Sequence, residues 1–265
     1  FIGTDSGKLT TTGVGNTFVG DGSGRQNTSG ASNVAMGQSA LLANTTASNN
    51  TAVGKDALTA NTTGAQMTAV GTLALAASTT ATGCTAVGFR SLNDNTTGSW
   101  NVGLGYDALG VNTTGVDNTA VGTFALDAST TGDDNTGLGY AALSANTTGD
   151  NNTAVGMNSL LANTTAANNT AVGTSALAAN TTGDQNSAFG YNALVANTEG
   201  VRNSGIGRGS LQGNSTGSYN TGTGYNALAS NTTASNNTAV GYDALLLNTT
   251  GAANVAVGKG ALDAN

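Results

Sequence analysis

The amino-acid sequence predicts an all-β fold, a parallel β-solenoid (β-roll) of about 16 turns with 17 residues in each turn. Three observations predict it: a glycine recurs every 17 residues, an apolar residue precedes nearly every one of these glycines, and a leucine follows most of them four residues later. Stacked identical turns cannot accept an insertion, because one extra residue would displace every turn above it. The glycines, called anchors below, are Gly3, Gly20, Gly37, Gly54, Gly71, Gly88, Gly105, Gly122, Gly139, Gly156, Gly173, Gly190, Gly207, Gly224, Gly241 and Gly258.

The period runs through the whole chain without a linker. We therefore expect a single repeat array over residues 1–265. Because the chain begins and ends inside a repeat, we interpret it as an excerpt of a longer chain.

The three residues before each anchor predict a short β-strand, for example Thr51-Ala52-Val53. Side chains alternate along a strand, so the first and third residues point to one side and the second to the other. The residue directly before the anchor is apolar in nearly every turn, as in Val53 and Ile206. This pattern predicts that the apolar residue is buried and that the small residue before it points away from the core.

A leucine lies four residues past the anchor in every turn from Leu41 to Leu262, which predicts a second strand. A short helix is the competing interpretation. We reject it because each such piece has only four or five residues between the glycine and the next corner, too few for a stable helix. The predicted core ladder includes Leu58, Leu109, Leu143, Leu160, Leu177 and Leu245.

Asparagine recurs four residues before the anchor and seven after it, as in Asn50 and Asn61. Stacked side-chain amides can hydrogen-bond between neighbouring turns, so both columns predict structural ladders. The corner Asn61-Thr62-Thr63-Gly64 supplies residues that tight bends favour. It also matches the Asn-x-Thr glycosylation pattern, but an asparagine committed to a ladder could not carry a glycan.

The composition excludes several classes of function. The net charge is −7 and the seven cations are scattered, so no nucleic-acid partner is expected. No run of 18 apolar residues occurs, so this segment has no predicted membrane span. Histidine is absent and Glu199 is the only glutamate, and we predict no enzyme, catalytic residue, cofactor or metal. The lone Cys84 is interpreted as a buried apolar residue rather than a reactive thiol.

Two surface features have alternative interpretations. The acidic residues Asp117, Asp133, Asp134 and Asp150 are expected to be solvated, with a weak cation site or a glycosidase-like carboxylate pair as the alternatives. Aromatic rings in a row can stack on sugars or proteins. Five tyrosines directly follow an anchor and form the predicted surface contact, against the alternative of scattered surface aromatics: Tyr106, Tyr140, Tyr191, Tyr225 and Tyr242.

The element Asn-(Thr/Val/Ser)-(Ala/Gly)-(Val/Leu/Ile)-Gly occurs as Asn50-Thr51-Ala52-Val53-Gly54 and as Asn254-Val255-Ala256-Val257-Gly258. It resembles the head repeat of YadA-like trimeric autotransporter adhesins and is similar to repeats of phage tail fibres. The resemblance covers nearly every turn, although turns of that family are usually shorter and lack the Asn-Thr-Thr-Gly corner. It implies a left-handed parallel β-roll, three of which associate side by side on a bacterial surface to bind host matrix. It implies no catalytic residues.

The sequence and the resemblance together predict a non-enzymatic structural and adhesive extracellular rod or fibre on a cell or virion surface. A host matrix protein or a surface glycan is the expected partner. The alternatives are a phage tailspike-like glycan-binding fibre and an ice-binding solenoid. The ice-binding alternative would use threonine ladders such as Thr62-Thr63, which Glu199 interrupts.

The residue two before the anchor is alanine or glycine in every turn from Ala35 onward. A strand position that faces solvent would normally accept larger residues, and glycine there is unfavourable unless another backbone comes close. We therefore expect an assembly face and a homotrimer, with a filament contact as the alternative. The predicted face includes Ala52, Ala69, Ala120, Ala154, Ala171 and Ala239.

Overall fold

The computed structural model describes residues 1–264, and every regular element among them is a β-strand of three residues. Each strand ends directly before an anchor glycine. In chain order the strands are β1 Thr17–Val19, β2 Val34–Met36, β3 Thr51–Val53, β4 Thr68–Val70, β5 Thr85–Val87, β6 Val102–Leu104, β7 Thr119–Val121, β8 Thr136–Leu138, β9 Thr153–Val155, β10 Thr170–Val172, β11 Ser187–Phe189, β12 Ser204–Ile206, β13 Thr221–Thr223, β14 Thr238–Val240 and β15 Val255–Val257.

The chain forms two compact units, Phe1–Asp133 with β1–β7 and Asp134–Asn265 with β8–β15. In each unit every strand pairs in parallel with the strand of the next turn, and paired residues are one period apart. Thr51 pairs with Thr68 in the first unit, and Ala171 with Ala188 in the second. Each unit is therefore a parallel β-solenoid of 17-residue turns, which confirms the predicted fold class.

The anchor glycines meet two requirements that no other residue satisfies. Their φ angles lie between +124° and +144°, a region that side chains other than glycine's hydrogen rarely tolerate. The backbone of the next turn also lies directly against them. A Cβ built on Gly173 would be 2.6 Å from the carbonyl oxygen of Gly190. The regular spacing of glycine in the sequence is the trace of this repeated contact.

The structure reverses the predicted inside and outside of the strands. The middle residue of each strand points into the core, and the residue before the anchor lies on the surface. The six alanines of the predicted assembly face have no exposed surface, so their assignment to an outward face was wrong: Ala52, Ala69, Ala120, Ala154, Ala171 and Ala239.

The narrow interior explains this reversal. A Cβ built on Gly205, the middle residue of β12, would lie 3.2 Å from Leu194 Cγ. The space between strand and leucine therefore accepts a methyl group or only a hydrogen, and strand alternation then places the larger apolar residues outside. The small residues do mark a close approach, but the approaching group belongs to the core of the same turn.

The residues after the anchor form turns instead of the predicted second strand. Residues two and four past the anchor have positive φ, for example 56° at Ser175 and 52° at Leu177. β-Branched residues avoid this region, and none occupies either offset in any turn, which explains why leucine rather than isoleucine or valine fills the ladder. The leucines of the core ladder, Leu58, Leu109, Leu143, Leu160, Leu177 and Leu245, have no exposed surface.

Both asparagine columns lie in the interior and hydrogen-bond between turns. The Asn180 amide donates to Asn163 Oδ1 at 2.9 Å and to the Gly183 carbonyl at 2.9 Å. In the other column, the backbone N–H of Asn169 donates to Asn152 Oδ1 at 3.0 Å. Buried amides need such partners, so the ladders replace the water that these groups lose on folding. The buried side chains leave no room for a glycan on the Asn-x-Thr positions of these ladders.

Candidate contact surface

Each unit exposes a column of apolar side chains along its sheet, called the apolar strip here. It consists of the residues directly before the anchors, and no member of it is buried. In the first unit Met36, Val70 and Val87 are exposed. In the second unit Leu138, Phe189, Ile206 and Val240 are exposed, with 38–44% of each side chain accessible. Contiguous apolar surface of this kind is typical of protein contact sites.

Tyr106 in the first unit belongs to a small aromatic cluster. Its ring stacks on Phe89 with centroids 5.4 Å apart and meets Phe124 edge-on at the same distance. Trp100, at the other corner of the turn, is 56% exposed. The first unit therefore presents aromatic surface at both corners.

In the second unit the residues that directly follow five successive anchors form the corner column: Tyr191, Arg208, Tyr225, Tyr242 and Lys259. The Arg208 guanidinium lies 5.6 Å from the Tyr191 ring centroid and 5.3 Å from that of Tyr225. Tyr225 and Tyr242 stack with centroids 5.0 Å apart, and Lys259 Nζ lies 5.6 Å from the Tyr242 centroid. Alternating cations and rings attract one another, so the column is stabilised internally.

The corner column changes what its tyrosines can contact. Each face of the Tyr225 and Tyr242 rings is covered by a neighbouring ring or cation. These two rings therefore present their edges and hydroxyl groups rather than a face on which a sugar could stack. Tyr140 and Tyr191 are exposed at the same offset. The structure thus places the five predicted tyrosines on the surface, three of them in contact with neighbours at their own offset.

A cavity of about 220 Å³ lies at the second corner of the second unit, lined by Asp184, Gln185, Val201, Arg202 and Tyr219. Arg202 Nε donates to Gln185 Oε1 at 2.7 Å, and Nη1 donates to the Tyr219 hydroxyl at 2.9 Å. Sequence reasoning missed this group. The available signal was that Gln185, Arg202 and Tyr219 all lie 12 residues past an anchor, in three successive turns.

The remaining candidates offer little chemistry. Among residues 1–264 no group of three or more acidic, histidine or cysteine side chains could hold a metal ion. Asp133 Oδ1 accepts a hydrogen bond from the Val116 backbone at 2.8 Å. Burial raises the pKa of the Cys84 thiol, which favours the unreactive protonated form. No helix in the described part of the chain is long and apolar enough to cross a membrane.

The two threonines of each Asn-Thr-Thr corner have different surroundings. The Thr181 hydroxyl donates to the Thr198 carbonyl at 3.1 Å, whereas Thr182 is exposed. The same bond links Thr62 to the Thr79 carbonyl at 3.0 Å. Only the second threonine of each pair is therefore presented fully to solvent, so the corner does not form a flat double row of free hydroxyls.

Comparison with protein-family models gives no match for the chain, and comparison with curated proteins gives none either.

Proposed function

We propose that the chain is a non-enzymatic structural and adhesive segment of an extracellular rod or fibre on a cell or virion surface. The observation that carries this proposal is the contrast between interior and surface. The interior repeats nearly the same alanine, leucine and asparagine in every turn, whereas the exposed corners vary and carry apolar and aromatic side chains. A scaffold whose surface is free to vary suits the presentation of contacts. The sequence offers no histidine for acid–base chemistry.

We further propose that the apolar strip associates with two further copies of the chain as a homotrimer. The sequence expected assembly through the alanines, which are buried. The strip supports assembly for a different reason, since burying Phe189, Ile206 and Val240 against another copy would remove apolar surface from water. Static light scattering of the purified chain measures the mass of the assembly directly. A filament contact would instead give particles larger than a trimer.

Adhesion is tested with beads that carry the full chain, on surfaces coated with collagen or with immobilised oligosaccharides. We expect these beads to attach several-fold more than uncoated beads to at least one of the surfaces. Removing the exposed ring edges with a Tyr225→Ser and Tyr242→Ser double variant should lower attachment, whereas Thr182→Ser, at an exposed position of the other corner, should not.

Two outcomes of the bead experiment would contradict the proposed function. Attachment no greater than that of uncoated beads on every surface would remove the adhesive role. Release of soluble sugar from the immobilised oligosaccharides would show enzymatic activity and favour a tailspike-like hydrolase. Ice binding has less support, because one threonine of each pair is bonded to backbone. Thermal hysteresis of the purified chain would be the evidence for it.

A further inference from the structure

The cavity at Arg202 is held in place by the repeat itself. Gln185, Arg202 and Tyr219 share one offset and have nearly equal φ angles of 60°, 55° and 60°. Their side chains therefore leave the backbone in similar directions, about 4.8 Å apart. Backbone hydrogen bonds from Arg202 to the Asp184 carbonyl at 3.1 Å, and from Tyr219 to the Val201 carbonyl at 3.0 Å, connect the turns at this corner.

Arg202 is positioned but not saturated. Its guanidinium has five N–H donors. One N–H of Nε and one of Nη1 bind Gln185 and Tyr219, which fixes the plane of the group. The other three donors remain for a ligand. The guanidinium also lies 5.5 Å from the centroid of the Tyr219 ring.

The other lining residues provide complementary chemistry. Asp184 Oδ1 accepts a hydrogen bond from the Ala167 backbone at 2.7 Å, which orients the carboxylate and leaves Oδ2 as an acceptor. The Gln185 amide nitrogen is a further donor, and the Tyr219 ring and Val201 provide apolar surface. The cavity thus combines several donors, an acceptor and an aromatic ring in about 220 Å³, the volume of roughly seven water molecules.

This combination selects the class of ligand. An anion would gain from Arg202 but would be repelled by Asp184, in a unit that carries six carboxylates and three cationic side chains. A purely apolar ligand would leave the guanidinium and the carboxylate without partners. A neutral sugar has hydroxyls that both donate and accept, and C–H faces that pack on an aromatic ring. The volume suits one sugar ring rather than a long chain.

We propose that the cavity lined by Asp184, Gln185, Val201, Arg202 and Tyr219 binds one neutral sugar residue. Arg202 and Gln185 donate to its hydroxyl oxygens, Asp184 accepts from a hydroxyl group, and Tyr219 contacts the ring. This inference rests on the proposed adhesive function and gives it a ligand class at a defined site.

The test is saturation-transfer NMR on the full chain with the methyl glycosides of glucose, galactose, mannose and N-acetylglucosamine. We expect at least one of them to bind with a Kd of about 1–10 mM, which is typical of a single small contact site. Arg202→Ala and Tyr219→Ala should each weaken binding by about tenfold or more. Tyr242→Ala, a tyrosine outside the cavity, should leave binding unchanged, and circular dichroism checks that every variant is folded.

Charge selectivity provides a second readout. Glucuronic acid and inorganic phosphate should bind more weakly than the neutral glycosides, and Asp184→Asn should reduce this difference by removing the repulsion. The inference is overturned if no neutral glycoside binds, if the Arg202→Ala and Tyr219→Ala variants bind like the wild-type chain, or if the anions bind more tightly. Bead attachment that persists without glycoside binding would overturn only this site, whereas glycoside binding without bead attachment would overturn the adhesive role.

Discussion

Replacing Ala171 with arginine is expected to prevent the second unit from folding. Ala171 is the middle residue of β10, has no exposed surface and pairs with Ala154 and Ala188 in the neighbouring turns. An arginine there would bury a cation without a partner, in a space that accepts only a methyl group. We expect a loss of several kcal/mol, seen as a fall on the order of 10 °C or more in Tm or as insoluble protein.

Val172→Arg is the matched control because the two positions are adjacent in one strand. Val172 belongs to the apolar strip and is only half-buried, so an arginine there can extend into solvent. The Val172→Arg chain should therefore keep its β-sheet circular dichroism. If the Val172 variant unfolds while the Ala171 variant melts like the wild-type chain, the strands face the opposite way from the one described here.

Replacing Gly173 with alanine is expected to have the second largest effect. The φ of +132° penalises any side chain, and the new Cβ would lie 2.6 Å from the Gly190 carbonyl oxygen. Backbone cannot rotate aside as a side chain can, so the turns must separate. We expect a loss of about 3 kcal/mol or more in the free energy of unfolding, measured by denaturant titration.

Gly258→Ala separates the two causes of that loss. Gly258 has a similar φ of +124°, but a Cβ built on it meets nothing within 4 Å. This variant should therefore lose only the conformational part, about 1–2 kcal/mol at most. Equal losses at Gly173 and Gly258 would show that the contact between turns contributes little.

The fold could be predicted from the sequence because the period alone restricts the architecture. Gly54, Gly71 and Gly88 recur without an insertion, and only stacked turns require such regularity. The leucine positions were equally clear, since Leu143, Leu160 and Leu177 repeat at one offset and are all buried. Their backbone conformation was not predictable from hydrophobicity. The exclusion of β-branched residues at this offset was the available sign of positive φ.

The orientation of the strands could not be read from the same pattern. Alternation shows that Thr51 and Val53 share one side and that Ala52 takes the other, but not which side faces the core. Hydrophobicity favours Val53 inside, whereas the space beside the leucine ladder accepts only alanine or glycine. The size of the space decides, and it depends on packing between parts of the turn that are distant in sequence.

The surface sites were predictable to different degrees. Tyr225 and Tyr242 directly follow successive anchors, so their stacking follows from the period. The cavity at Arg202 combines unlike residues, so no repeated residue type marks it in the sequence. Gln185, Arg202 and Tyr219 become a group only when residues are aligned by turn and their side-chain hydrogen bonds are known.

The mass of the chain in solution tests most directly whether the apolar strip is a contact between copies. Static light scattering at micromolar concentration should give three times the chain mass for the wild-type protein. Phe189→Asp with Ile206→Asp should give a folded monomer, because both positions are exposed in the single chain and covered only in the assembly. The control pair Thr182→Asp and Thr216→Asp, at the exposed second corner, should remain trimeric. A monomeric wild-type protein, or a Phe189 and Ile206 double variant that still forms trimers, would contradict the proposed assembly.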